Sequence, residues 1–240
     1  MKQFYFECPL SQKCVALTTT TILGNMAYQV DEGKDVLKHR KLLADTLGVS
    51  LDRFTFVHQH HSDLIEKVDT NDIGRGLYSF EDGLECDALY TYEKNVPLCI
   101  FHADCVPIFF IDEDTSLVGI IHSGYKGTLK HIAYKAIKQV SEKENIPFNR
   151  FKFYIGPYRM VSSFSIDENN KTEIKEAGLE TAIKGNFFDN GAAVISDLLK
   201  LGIKEDQISS INIDTVTEPL CYSAKLKTPV GRMVSLIYLK

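Results

Sequence analysis

The chain has 240 residues, with 27 Lys+Arg against 32 Asp+Glu, a formal charge of −5, 44% hydrophobic residues and no Trp. That is the composition of a folded globular protein, and a chain of this mass buries about 70% of the surface its unfolded form exposes, so it needs no disulfide support. The acidic balance argues against a broad nucleic-acid or anionic-lipid footprint. No apolar run is long enough for a bilayer span or a signal peptide, so a cytoplasmic location and a small-molecule or protein partner are expected.

Residues 33–47 place Val36, Leu43 and Leu47 on one helical face, with Gly48 as the C-terminal stop. Arg40 lies within that stripe and must find an anionic partner or acceptor, either a structural Asp or Glu or an anionic ligand, because an unpaired buried guanidinium is very costly. Residues 53–61 predict a strand ending in His58, His60 and His61; alternation puts His58 and His60 on one side and His61 with Gln59 on the other. Short apolar strands follow at 87–92, 96–102, 106–111 and 117–122. Behind the turn 124–127, a helix over 128–144 carries Leu129, Ile132, Ala133, Ala136, Ile137 and Val140 at helical spacing. A strand at 151–155, helices near 168–183 and 190–201, and strands near 208–213 and 232–239 complete the chain. No repeat or linker divides it, so 1–240 reads as one unit, and its many consecutive strands suit a mixed-sheet α+β protein better than a doubly wound one. Phe54, Phe56, Phe109, Phe110, Phe151 and Phe153 are assigned to the core.

Six cysteines, at 8, 14, 86, 99, 105 and 221, form no CxxC pair, and most are expected to be small buried hydrophobes with room for one chemical exception. Cys105 lies between two apolar strands and His122 at the exit of a third, where side chains leave a sheet and meet solvent. With one of the histidines at 58–61 they would make a three-ligand zinc set with an open fourth position. A metal-free Cys105 nucleophile with a His base is the alternative. The turn HSGYKGT, with two glycines ahead of a helix and Lys126 within it, resembles an anion cradle but lacks the Walker spacing. Ser163 and Ser165 read as turn or cap residues, and Glu142–Glu144 as a solvated helix end.

Together, HRKLL at 39–43, QHHS at 59–62, DALYT at 87–91, ADCVPI at 103–108, HSGYKGT at 122–128, IGP at 155–157 and GRM at 231–233 resemble the YfiH-type family. Its members were formerly called multicopper polyphenol oxidoreductases or laccase-domain proteins and are now regarded as purine nucleoside phosphorylases. The resemblance implies a four-layer α/β/β/α sandwich with mixed β-sheets. It also implies zinc on His61, Cys105 and His122, with copper as the alternative metal. Purine nucleosides (adenosine, inosine, guanosine or methylthioadenosine) and inorganic phosphate would be the substrates, with a zinc-dependent adenosine deaminase activity besides. Copper-dependent phenol oxidation and a non-enzymatic peptidoglycan-editing or envelope role are the other functions it leaves open. Arg40, Gly124, Tyr125, Lys126 and Gly127 are the expected substrate-binding residues, Tyr125 as a platform for the purine. Cys105 and Asp104 are the expected catalytic ones, while Asp104 or Asp87 positions or protonates the base or orients a metal-bound histidine. Tyr125-Lys126 replaces the commoner Trp-Arg of the family turn, and Asp214 stands where many members carry Cys before Thr215.

Overall fold

The computed structural model describes residues 3–33 and 35–240. The chain opens with β1 (Tyr5–Glu7), β2 (Cys14–Thr19), α1 (Val36–Leu47), β3 (Thr55–Phe56) and β4 (Ile65–Lys67). Next come β5 (Ala88–Thr91), β6 (Leu98–His102), β7 (Val106–Asp112), β8 (Leu117–Ser123), α2 (Tyr125–Leu129) and α3 (Ile132–Glu144). It closes with β9 (Phe151–Ile155), α4 (Glu168–Glu176), β10 (Ile183–Lys184), β11 (Phe187–Phe188), α5 (Asn190–Lys200), β12 (Ile208–Ser210) and β13 (Met233–Leu239).

Two mixed sheets lie face to face. One has the order β1-β2-β13-β6-β3 and the other β12-β9-β7-β8-β5-β4, with β10-β11 as a separate ribbon. In the six-stranded sheet, residues at alternate positions serve different cores. Leu89, Phe109, Ile111, Val118, Ile120 and Tyr154 meet the five-stranded sheet, whereas Ala88, Tyr90, Ile108, Phe110, Ile121 and Phe153 meet the helices behind. Strands covered on both faces read as continuous apolar runs, which is why β7 and β8 are buried throughout. Gly119 of β8 has a local reason: a Cβ there would overlap the Phe110 ring of the neighbouring strand. Helix α3 docks Ile132, Ala133, Ala136, Ile137 and Val140 on the outer face of this sheet beside Val194 and Leu198 of α5. Each large apolar side chain so buried contributes roughly 1.5–3 kcal/mol. Helix α1 covers the other sheet through Leu43 and Ala44, completing the four layers α/β/β/α. No helix among the described residues is long and apolar enough to cross a membrane.

Several boundaries differ from the sequence expectation, each for a local reason. Helix α1 begins at Val36 because Asp35 has φ 56°, and it ends at Gly48, φ 65°, whose N–H donates to Ala44 and Asp45 carbonyls; Lys34 lies outside the described residues. The helix expected over 128–144 is two helices: α2 starts inside the glycine turn, and His131 at φ 59° breaks the path before α3. Helix α4, opened by an Asp167–Asn170 capping box, stops at Glu176 ahead of Gly178 at φ 67°. The strand expected over 53–61 pairs only at Thr55 and Phe56, followed by one bridge from Val57 to Leu84.

Arg40 finds an acceptor, but neither an acidic residue nor a ligand-binding surface. It is 1% exposed, with Nε and Nη2 donating to the Met26 carbonyl at 3.0 and 2.9 Å and Nη1 to the Gly76 and Leu77 carbonyls at 2.8 and 2.7 Å. The guanidinium lies 3.9 Å over the Phe56 ring. Burial lowers it to about 10, so it stays charged at neutral pH. The expected substrate-binding role of Arg40 is therefore corrected: its donors are spent on loop carbonyls that secondary structure leaves unpaired.

Candidate functional site

The short β3 sets up the site. Beyond Val57 the chain stays tethered through Gln59, whose amide donates to the Phe101 carbonyl at 2.7 Å and accepts from the Phe101 N–H at 2.8 Å. His58 and His60 turn to one side, their rings 4.1 Å apart, with His58 edge-on to Phe80 at 4.4 Å. His61 goes elsewhere because it sits at φ 57°, outside any strand, so strand alternation is not the cause of the separation expected from it. Asp87, fully buried at the start of β5, holds this turn. It accepts the His60, His61 and Ser62 N–H groups at 3.2, 3.1 and 2.6 Å and the Ser62 hydroxyl at 2.7 Å.

The same carboxylate meets His122 Nδ1 at 2.8 Å. With Nδ1–H given to Asp87, His122 presents Nε2 to the neighbouring side chains. His61, Cys105 and His122 each offer a ligand atom within 4.8 Å of the others, with Cys105 Sγ 3.9 Å from His61 Nε2. This group could hold a metal ion. The donor chemistry fits a thiophilic divalent cation: one sulfur, two imidazoles, and one imidazole whose tautomer is fixed by a carboxylate.

Electrostatics set Cys105 apart. Burial raises its thiol, but the charge and hydrogen bond of His122 and the contact with His61 outweigh this and bring it down to about 6. Burial likewise opposes a charged His122, yet Cys105 and Asp87 raise it to about 10. Asp87 falls to about 2, burial again being overcome by His122 and Ser62. By contrast, burial pushes Cys14 up to about 11 and Cys221 to about 12, and Cys8, Cys86 and Cys99 higher still. His102, buried on Ser235 at 2.8 Å, is lowered by burial to about 3 and remains a neutral core residue.

Beside the triad lies a cavity of about 340 Å³ lined by His61, Asp104, Cys105, Tyr125, Lys126, Arg159, Phe164 and Asn190, with Ala103 and Ala224. Of the expected catalytic and substrate-binding residues, Asp104, Cys105, Tyr125 and Lys126 line this cavity. Gly124 and Gly127 are not on this wall. A Cβ on Gly124 would overlap the His61 ring and lie 2.9 Å from Cys105 Sγ, so the missing side chain at this position makes room for those two side chains. Asp104, at φ 99°, accepts from Thr215 Oγ1 at 2.7 Å through Oδ1. The Arg159 guanidinium packs 3.6 Å over the Phe164 ring. Tyr125 is anchored by donating to Glu173 at 2.8 Å. Asn190, 1% exposed, donates through Nδ2 to the Ser123 carbonyl at 3.3 Å.

Four buried side-chain polar atoms among the described residues lack a hydrogen-bond partner, and three of them, Asp104 Oδ2, Arg159 Nε and Asn190 Oδ1, belong to this wall. Buried polar atoms are almost always paired, so these three at one cavity are groups that a polar ligand or an ordered water would satisfy there. No motif or spacing marks Arg159, Phe164, Asn190 or Thr215 as cavity residues. The adjacency of Arg159 to the IGP segment was the one usable signal. Ser163, read as a turn residue, donates to Asp214 at 2.5 Å, which gives that unusual aspartate a structural partner.

Comparison with known proteins agrees with this architecture. The family described as multi-copper polyphenol oxidoreductase laccase matches residues 19–240. The purine nucleoside phosphorylase YlmD of Bacillus subtilis is 33% identical over 221 residues, covering 88% of this chain and 79% of that protein. The purine nucleoside phosphorylase SSP1584 of Staphylococcus saprophyticus is 33% identical over 226 residues, covering 89% and 84%. Among solved structures, YlmD from Geobacillus stearothermophilus superposes with a TM-score of 0.90 at 25% identity, covering 100% of this chain and 97% of that one. The hypothetical protein YfiH of Bacillus licheniformis gives 0.88 at 28%, covering 95% and 93%. With its four layers, its His-Cys-His group and a match running from residue 19 to the last, this chain belongs to the YfiH-type, laccase-domain family.

Proposed function

We propose that the chain, acting as one domain over 1–240, is a purine nucleoside phosphorylase that carries one zinc ion on His61, Cys105 and His122. The observation that supports this most is the cavity beside the triad, whose wall combines an aromatic face with two cations, Lys126 and Arg159, the latter also within electrostatic reach of Asp104 and Asp214. In phosphorolysis a phosphate oxygen donates its lone pair to C1′ of the ribose as the C1′–N9 bond breaks. The released electron pair leaves with the purine, which takes up a proton, and the products are ribose 1-phosphate and the free base. Arg159 and Lys126 hold the phosphate, the guanidinium through its planar fork and the ammonium as a point charge. Tyr125 and Phe164 face the purine, and Asn190 Oδ1 accepts from a ligand N–H or O–H. Zinc, when bound, supplies Lewis-acid polarisation of a ligand oxygen.

Copper-dependent phenol oxidation fits less well, because it calls for several metal sites and the described residues hold one such His/Cys group. The test is to incubate the purified protein with inosine and phosphate and follow hypoxanthine. Phosphate-dependent release that stops on chelation and returns with zinc is expected. No release under any condition would remove the reading. Full activity after chelation would return Cys105 to the role of metal-free nucleophile. Adenosine belongs to the same substrate class, and ammonia release from it measures the additional deaminase activity.

A further inference from the structure

Resting on the phosphorylase reading, we propose that Asp104 is the ribose-binding residue: its Oδ2 accepts the 2′- or 3′-hydroxyl of the sugar and faces the ring as positive charge develops there. The fold accounts for every other polar atom of this side chain and its carbonyl. Oδ1 is taken by Thr215 Oγ1 at 2.7 Å, the backbone carbonyl by the Arg159 N–H at 2.9 Å, and Thr215 is itself fully buried. Oδ2 alone is left over, buried and without a hydrogen-bond donor though within electrostatic reach of Arg159, on a residue whose φ of 99° is a conformation that only surrounding structure sustains. Asp87, the other carboxylate considered for substrate, already serves His60, His61, Ser62 and His122 and does not line the cavity.

A carboxylate only accepts hydrogen bonds and carries negative charge, and this decides which part of the reacting complex it can face. Phosphate is an anion. The purine becomes one as the C1′–N9 electron pair leaves with it. The ribose offers hydroxyl donors and turns cationic at C1′ and O4′ in an oxocarbenium-like transition state. A fixed carboxylate beside it is favoured more in the transition state than in the ground state, which is the condition for accelerating the reaction. Lys126 and Arg159 on the same wall supply the opposite charge for phosphate. Thr215 is then a positioning residue, holding one carboxylate oxygen so that the other points at the sugar.

The experiment compares kcat/KM for inosine, 2′-deoxyinosine and 3′-deoxyinosine, each with phosphate, in the zinc-loaded wild type, Asp104→Asn, Thr215→Val and Thr215→Ser. Loss of a hydrogen bond to a charged acceptor lowers inosine turnover about 10- to 100-fold in Asp104→Asn. The fall is at least about 10-fold smaller on the one deoxynucleoside that lacks the hydroxyl Asp104 accepts, because the two deletions remove the same contact. Thr215→Val shows the same pattern more weakly, and Thr215→Ser restores it. Zinc content and thermal midpoint are measured alongside; if Asp104→Asn is poorly folded, the Thr215 pair carries the comparison. A wild type that cleaves inosine, with variants that fall by one common factor on all three nucleosides, overturns this assignment alone. A wild type that cleaves none overturns the phosphorylase reading and this inference with it.

Discussion

Among the six cysteines, identical side chains are driven in opposite directions by their surroundings. Five are buried among apolar groups or backbone and kept as thiols, whereas Cys105 has two imidazoles within reach and is lowered to about 6. Behind them stands Asp87, which ties the His60–Ser62 turn and His122 to a single carboxylate. Asp87→Asn is expected to weaken zinc binding about 10- to 100-fold, measured by competition with a chromogenic chelator, because neither the turn nor the His122 tautomer is then fixed. The metal-free protein gives a second readout. The folded carboxyl is depressed to about 2 from 3.8, so its contribution is complete above 3.8 and lost as pH falls toward 2. Urea titrations of the wild type should lose stability across that window, and those of Asp87→Asn should lose less.

At the scale of elements, the site exists because regular structure stops early. Strand β3 ends after Phe56, freeing His61 to reach Cys105, and α2 begins directly at the end of β8 with Gly124 between them. Gly124 has φ −78°, which any residue adopts, so its requirement is space and not backbone freedom. Gly124→Ala pushes a methyl group into the His61 ring and toward Cys105, an overpacking that costs about 1–3 kcal/mol. It should reduce zinc occupancy and turnover with the circular dichroism spectrum unchanged. A Gly124→Ala protein with wild-type zinc affinity would mean that the turn has room the geometry denies. The β10–β11 ribbon and α4 form a small core of their own around Ile174 and Phe188, and Tyr125 and Phe164 pack against it while lining the cavity.

Across the whole molecule, Arg40 ties α1 to the 26–28 and 76–77 loops above the five-stranded sheet. Arg40→Ala strands the Met26, Gly76 and Leu77 carbonyls in the interior and should lower the unfolding free energy by about 3 kcal/mol or more. The KM for phosphate should stay unchanged, and a large rise in it would return Arg40 to the ligand site. Much of this architecture is legible along the chain. Runs such as VPIFFI and LVGII are apolar on both faces because both faces are covered, helical spacing marks α1, α3 and α5, and the order of ADC and HSGYKG carries the family. Hydrophobic periodicity and glycine placement are local properties, so a single sequence reports them, along with the chemical identity of His61, Cys105 and His122. What packing alone decided is which polar groups meet. Arg40 resembled an anion-binding residue until loop carbonyls from positions 26, 76 and 77 closed around it. Arg159, Thr215 and Asn190 resembled nothing until they met Asp104, in the turn between β6 and β7, and Ser123 at the end of β8. The partner of a buried polar atom is chosen by the tertiary fold, across 111 residues between Asp104 and Thr215 and 217 between Thr18 and Ser235, and no spacing rule encodes it.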